Sequence, residues 1–271
     1  MNSTARRVFR VLGALLLCAV FLSPLVLMAL GSLRAPGLPP PDGFELAPRG
    51  ATMSNYETVF AFVPLGRYLM NSLLIAIVAV PVTVVIASWT GYAIVAAAPR
   101  ARRWLIGVCV VTLMVPLSAL WVPRFVLFRW MGLLDTLWPL MAPALMATTP
   151  FYVLLFALTY ARIPRELFDA ARLQNLSPMA IWRRVAWPLG RPTVFAVAVL
   201  AFAWHWANFV DPLLYLSSGD LYTAPLGLRA LQALEPTNHS ILLAACVMVC
   251  LPGVAAFVAA QRSFFDKTLE V

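Results

Sequence analysis

Charge is what this sequence has least of. Asp, Glu, Lys and Arg together make up 11% of its 271 residues while 62% are hydrophobic, whereas a soluble domain carries about 25% charged residues. That shortage of polar surface excludes a soluble globular protein and requires that the chain face lipid. Lysine is almost absent: Lys267 stands alone and no glycine precedes it. The chain therefore lacks a phosphate-binding Walker A loop, and any ATP hydrolysis belongs to another subunit. Only two histidines occur, His205 and His239, too far apart for the HExxH pair of a zinc protease. The four cysteines, Cys18, Cys109, Cys246 and Cys250, lie inside apolar stretches, where Cys acts as a small hydrophobe and no disulfide framework follows. Cys246 and Cys250 sit one helical turn apart without a third metal ligand, which reads as packing. GxxxG is missing too, so paired-glycine helix packing has no support. The net charge of +9 comes from arginines scattered between apolar runs; gathered on one face they would suggest nucleic acid, but scattered they suggest membrane topology.

What is present is six apolar runs of the roughly 20 residues that a helix needs to cross about 30 Å of hydrocarbon. They are Val11 to Leu30, Leu69 to Val95, Trp104 to Val122, Leu137 to Tyr160, Thr193 to Leu216 and Ile241 to Ala260. The first follows Arg6, Arg7 and Arg10 and precedes a small-x-small site at Ala29 to Gly31, but it is too long for a signal-peptide core and reads as a retained anchor. With the N-terminus inside, fourteen of the twenty cations fall on the cytoplasmic side, so both termini are expected there. The outer six are Arg34, Arg49, Arg67, Arg124, Arg129 and Arg229. A Pro- and Gly-rich segment over 32–67 reads as an external loop with a helix start at Ser54 to Glu57,. Asp135 and Thr136 are expected to cap the fourth helix, and Arg124 and Arg129 to snorkel outward.

The longest cytoplasmic loop, 161–192, is written in capping grammar. Pro164 suits a first helical position and Glu166 the positive end of the dipole. Leu167, Phe168, Ala170 and Ala171 give an apolar stripe flanked by Arg165 and Arg172,. Asn175 suits a left-handed stop, Ser177 and Pro178 restart a helix as cap and first residue, and Pro188 is expected to end it. Physics alone leaves two readings of this helix-turn-helix: an amphipathic segment lying on the bilayer, helped by Trp182 and Trp187, or a docking element.

The residues Asp169-Ala170-Ala171, then Asn175, then Val185-Ala186-Trp187-Pro188 resemble the EAA loop of ABC importer permeases. There Glu-Ala-Ala is followed after three residues by Gly and after nine more by Ile-x-Leu-Pro. Asp169 replaces Glu, Asn175 replaces Gly and Trp187 replaces Leu, changes that keep charge, turn conformation and apolar bulk. Further segments are similar to carbohydrate-type permeases related to the second membrane subunit of the maltose importer. They are Ser54-Asn55-Tyr56, Tyr68 to Leu74, Gly132 to Thr136, Ile163 to Leu167 and Trp206 to Phe209 with Pro212-Leu213.

The resemblance implies an all-α membrane protein of the MetI-like ABC permease fold: six transmembrane helices in one domain over 1–271. It comprises an anchor helix (1–31), the external loop (32–67), core helices (68–260) around an EAA-type coupling loop, and a cytoplasmic tail (261–271). It also implies a bacterial inner-membrane location, a second homologous permease subunit, two ATPase subunits and an extracytoplasmic solute-binding protein. ATP and Mg would sit on the ATPase, no cofactor on this chain, and the solute would be a sugar or similar compound. The coupling residues would be Glu166, Asp169, Ala170, Ala171, Asn175, Ser177 and Pro188.

Within the spans, Trp204, Asn208, Asp211 and Tyr215 are spaced four, three and four apart and would share one face of a continuous fifth helix. That face could line a solute pathway, since aromatic rings stack on sugars and amides and carboxylates bind hydroxyls. Trp206 is a weaker candidate, and so are Asn71, Ser72 and Tyr92 on the second helix. The bland alternative places Trp206 and Asp211 in an interfacial belt and a cap. A secondary transporter or channel would need a buried ionisable relay, for which only His205 and Asp211 offer themselves. A membrane enzyme finds no metal motif or catalytic triad.

Overall fold

The computed structural model describes residues 3–39, 43, 45, 47–145 and 150–268, with side chains at all of these except 3–6, 8 and 259–268. The fourth apolar run passes over 146–149, and the external loop and tail include Pro40, Pro41 and 269–271, all outside the described residues.

Every regular element among the described residues is helical. Lipid imposes this, because a helix satisfies its own backbone amides. The elements are α1 (Ser3–Ser32), α2 (Ser54–Phe62), α3 (Leu65–Ala96), α4 (Pro99–Leu113), α5 (Leu117–Trp130), α6 (Trp138–Leu145), α7 (Pro150–Ala161), α8 (Arg165–Leu173) and α9 (Pro178–Ile181). A π-helical turn (Trp182–Ala186) follows, then α10 (Trp187–Leu189), α11 (Arg191–Ala207), α12 (Val210–Tyr215), α13 (Ala224–Leu234) and α14 (His239–Thr268). Among the described residues, four stretches are long and apolar enough to cross a membrane: Phe9–Ser32, Leu65–Ala96, Trp138–Ala161 and His239–Val258. The number rises to six if each of two bent pairs is one crossing.

Two expected spans are corrected by breaks in their helices. The third run is not one helix: α4 and α5 meet at 91°. Pro116 lacks an N–H and disfavours helical backbone at the residue before it, so the helix stops at Leu113 and restarts at Leu117,. The fifth run breaks as well. Pro212 in a continuous helix would clash with the carbonyl of Asn208; Asn208 instead leaves the helix at φ −67°, ψ 117° and α11 ends at Ala207.

The chain divides into two compact units, Met1–Gly66 with Gly227–Pro252, and Arg67–Leu226 with Gly253–Val271. In the first, the expected external loop folds onto the end of α1. Asn55, the second residue of α2, is buried and donates to the carbonyls of Ser32 (2.8 Å) and Arg34 (2.7 Å), supplying partners that the helix end lacks,. The Tyr56 and Ser32 hydroxyls meet at 2.7 Å, and Arg34 pairs with Glu45 at 3.0 Å.

In the second unit, one core joins α3, α7, α8, α9, the π turn and α11, through residues that include Tyr92, Phe156, Tyr160, Phe168, Ala171, Ile181, Ala186 and Val197. A smaller core gathers Ile75, Phe128, Leu140, Tyr215, Leu216 and Leu226.

Beside that smaller core, Asp135 does something other than cap the fourth helix. At φ 58° its carboxylate accepts the amides of Ser217 (2.9 Å) and Ser218 (2.8 Å) together with the Ser218 hydroxyl. Thr136 donates to Leu133 instead of capping. The Ser218 hydroxyl first, then the two amides, hold the Asp135 carboxyl below the usual carboxylate range,. A depressed folded value means the stabilisation is present above the unfolded pKa of about 3.9 and disappears as pH falls through the folded value. Asp135→Asn keeps the turn conformation and loses the charge. We expect the thermal-melting gap between wild type and this variant to be full at neutral pH and to close on acidification below pH about 3.9. A gap that does not change with pH would show that the carboxylate charge is irrelevant.

Candidate functional site

The 161–192 loop follows the grammar of its sequence closely. α8 begins after Pro164, one residue later than a first-position proline would imply, with Glu166 exposed in the first turn and Arg172 in the last. Its end is a Schellman motif: Asn175, at φ 57°, donates to the Arg172 carbonyl (2.9 Å), and Leu176 donates to that of Ala171 (3.3 Å),. The Ser177 hydroxyl then accepts the Ala180 amide (3.3 Å) and caps α9,.

Pro188 departs from expectation. It lies inside α10, and the chain turns two residues later, at Gly190. The π turn just before it widens the backbone, with the Trp187 amide reaching the Trp182 carbonyl, so a residue without an N–H fits inside the helix. The two indoles pack edge to face at 5.3 Å. Gly190 then makes the 83° bend into α11, where a Cβ would meet the Tyr160 ring at 2.6 Å.

Three faces of α8 have different fates. Phe168 and Ala171 are buried in the core shared with α3 and α7, and Phe168 lies 6.0 Å from the ring of Tyr92. Arg165, Asp169 and Arg172 form a row at i, i+4 and i+7, with Asp169 and Arg172 paired at 3.0 Å,. Glu166, Leu167, Ala170 and Leu173 are exposed, Leu173 by 85%. Leu167 and Leu173, exposed beside the small Ala170, leave an uncovered apolar face on α8, which holds Ala170 but not Ala171.

The loop is fastened to the spans by groups that sequence reading missed. The Ser88 hydroxyl of α3 meets the Tyr160 hydroxyl of α7 at 2.6 Å and accepts the Trp182 indole N–H at 2.9 Å. Ser88 and Tyr160 are fully buried. Thr159 of α7 and Thr193 of α11 meet at 2.6 Å. Hydroxyls inside apolar runs were the available signal, since polar groups at that depth need partners.

The fifth-run polar stripe is rearranged by the helix break. Trp204 is 51% exposed while Tyr215 is buried, so the four residues do not share one face. Asn208 bridges the break: its Oδ1 accepts the Asp211 amide (3.3 Å) and its Nδ2 donates to the Asp211 carboxylate (3.0 Å). Arg124 does not snorkel outward. It sits largely buried with its guanidinium 3.9 Å from Asp211. Asn208, Asp211, Tyr215 and Arg124 thus gather where two broken helices meet, with His205 on the turn before. Trp206 is buried and stacks on Phe202 at 5.4 Å. Asn71 is spent on structure, donating to the carbonyls of Asp220 (2.9 Å) and Tyr222 (3.0 Å), and Ser72 accepts the Ala224 amide. Tyr92 belongs to the core under α8.

Comparison with known proteins agrees with this architecture. Residues 61–268 match the binding-protein-dependent transport system inner membrane component family. The arabinooligosaccharides transport system permease protein AraQ of Halalkalibacterium halodurans is 32% identical over 249 residues, covering 91% of this chain and 88% of that protein. The lactose transport system permease protein LacG of Rhizobium radiobacter is 31% identical over 219 residues, covering 81% and 80%. Among solved structures, a chain of a bacterial ABC transporter involved in import of the acidic polysaccharide alginate superposes with a TM-score of 0.77 at 19% identity, covering 97% of this chain and 99% of that one. The EAA-like spacing, the apolar helices and the family match lead to one conclusion: this chain belongs to the binding-protein-dependent transport system inner membrane components, the permease subunits of ABC importers.

Proposed function

We propose that this permease forms half of a heterodimeric pathway for a sugar or sugar-like solute, driven by two separate ATPase chains that dock on α8. Membership of its family makes it a non-catalytic transmembrane subunit of an importer served by a solute-binding protein and sets aside a secondary transporter or channel. The observation that carries the coupling role is the shared core: α8 and the π turn are packed and hydrogen-bonded into the same body as α3, α7 and α11. A push on the exposed face of α8 therefore moves the spans instead of bending a loop. ATP and Mg belong on the docking partner.

Solute class is supported by the relatives, which carry arabinooligosaccharides and lactose. The cluster of Asn208, Asp211, Tyr215 and Arg124 is the pathway candidate, and Trp204 flanks it. The complete importer, purified with its partner permease and ATPase and supplied with its binding protein, should take up an oligosaccharide only when ATP is present. Asn208→Leu should slow that uptake severalfold while the partner permease still copurifies. Uptake without ATP would reject the mechanism, and normal uptake by Asn208→Leu would remove the cluster from the pathway.

Both termini and the 161–192 loop are assigned to the cytoplasm on the strength of the cation distribution. Single cysteines at Thr52 and Ser218 should react with an impermeant thiol reagent added outside, and one at Ser177 should not. Reversed labelling would invert the topology.

A further inference from the structure

Beside α8 lies a cleft of about 510 Å³, lined on that helix by residues outside its exposed leucine face. Its walls carry four arginines, Arg102 and Arg103 from the first turns of α4 and Arg165 and Arg172 from α8, against one carboxylate, Asp169. Arg172 already pairs with that carboxylate, and arginine stays charged at any physiological pH. The cleft therefore holds an uncompensated positive field, lined also by Tyr92 and Tyr160. No side chain caps the N-terminus of α4 and its first turn contains no acid, so the helix dipole adds to the same sign. An anion belongs here.

The surroundings specify which. Directly after Arg103, α4 presents Trp104, Val108 and Val111 at i, i+4 and i+7, all exposed, by 69%, 40% and 63%,. An exposed indole directly after two cleft-lining arginines, followed by an apolar stripe, marks the headgroup level of a bilayer, with hydrocarbon beyond. The cleft row of α8 is also separate from the free face of Leu167, Ala170 and Leu173, so docking on that face leaves the cleft open.

We propose that the cleft binds the phosphate of an anionic phospholipid whose acyl chains lie along Trp104, Val108 and Val111. Its assignment to the inner leaflet rests on the sidedness proposed above. Occupancy would tie α8 to the start of α4 through the lipid, so that membrane composition sets how firmly the coupling element is held.

The test uses the whole importer in lipid discs of phosphatidylcholine with a minor fraction of phosphatidylglycerol, followed by mild release and native mass spectrometry of retained lipid. Wild type should keep phosphatidylglycerol enriched about tenfold over the disc ratio, given the contribution of each interfacial arginine. Arg102→Gln with Arg103→Gln should return the ratio to that of the disc, and the paired Lys replacements should keep most of the enrichment. In all of them the ATPase should still copurify. Absence of enrichment, or enrichment untouched by the Gln pair, overturns the proposal. So does displacement of the lipid by inorganic phosphate, which marks a soluble-anion site, and so does loss of the ATPase with the Gln pair, which marks a protein contact. Failure of the α8 docking reading would appear separately, as ATPase binding indifferent to Ala170, with lipid enrichment intact.

Discussion

Arginine in place of Ala170 is expected to abolish ATP-driven uptake while the chain still inserts and holds its partner permease. Ala170 is exposed between Leu167 and Leu173 on the uncovered face of α8, where a partner groove needs a narrow surface. A long cation forced into such a contact costs about 3 kcal/mol or more, roughly a hundredfold in affinity. Copurification of the ATPase with Ala170→Arg should fall accordingly, and uptake with it. The neighbouring substitution separates docking from folding. Ala171 is only 5% exposed and belongs to the same buried core as Phe168, so Ala171→Arg should disrupt the protein itself, lowering its yield and melting temperature. Full uptake by Ala170→Arg would mean that α8 is not the docking element.

Gly91→Leu is expected to prevent accumulation of folded protein. A Cβ at Gly91 would stand 2.6 Å from the Cβ of Phe156, 2.9 Å from the Ala157 amide nitrogen and 3.0 Å from the Val153 carbonyl oxygen. Two of those three neighbours are backbone and cannot swing aside, so α3 and α7 must separate. Even a single added methyl overpacks such a contact by about 1–3 kcal/mol. Gly91→Ala should therefore melt several degrees below wild type, and the leucine variant should be degraded or aggregated. Gly107 is the control: a Cβ there would meet nothing within 4 Å, and alanine at that position should be neutral or stabilising by up to about 1 kcal/mol. Equal melting of Gly91→Ala and wild type would refute the close approach. One glycine is enough here because its helix partner supplies small or backbone atoms, which is why a search for paired glycines finds nothing.

What could be read from the sequence was local. Asn175, Ser177 and Glu166 act within four residues of themselves, and spacing alone placed each in its turn or cap. The apolar runs located the four stretches that are long and apolar enough to cross a membrane among the described residues, for the same reason. Two errors came from letting run length outweigh proline: Pro116 and Pro212 both carried the signal to break, and the hydropathy of their neighbours hid it. Other features were beyond local reading. Asp135 holds amides 82 and 83 residues away, Asn71 holds carbonyls about 150 residues on, and Ser88 meets Trp182 across 94 residues. No periodicity encodes such partners; they exist only once the helices have assembled.

The π turn at Trp182–Ala186 makes the loop more sensitive to a change in the number of its residues than to a change at its exposed positions. Residues five apart in an α-helix point roughly 140° away from each other, yet Trp182 and Trp187 are in contact, because this turn holds one residue more than an α-helical turn would. Deleting that residue would leave every side chain chemically similar while turning everything upstream by about 100° against α11. The exposed leucines of α8 would then face a different direction, and Trp182 would lose Ser88. Composition is accordingly expected to vary among related chains at the exposed positions 183 and 184, whereas a one-residue insertion or deletion in this turn would act like a gear slipping a tooth and should be found only together with a compensating change of length elsewhere in the loop.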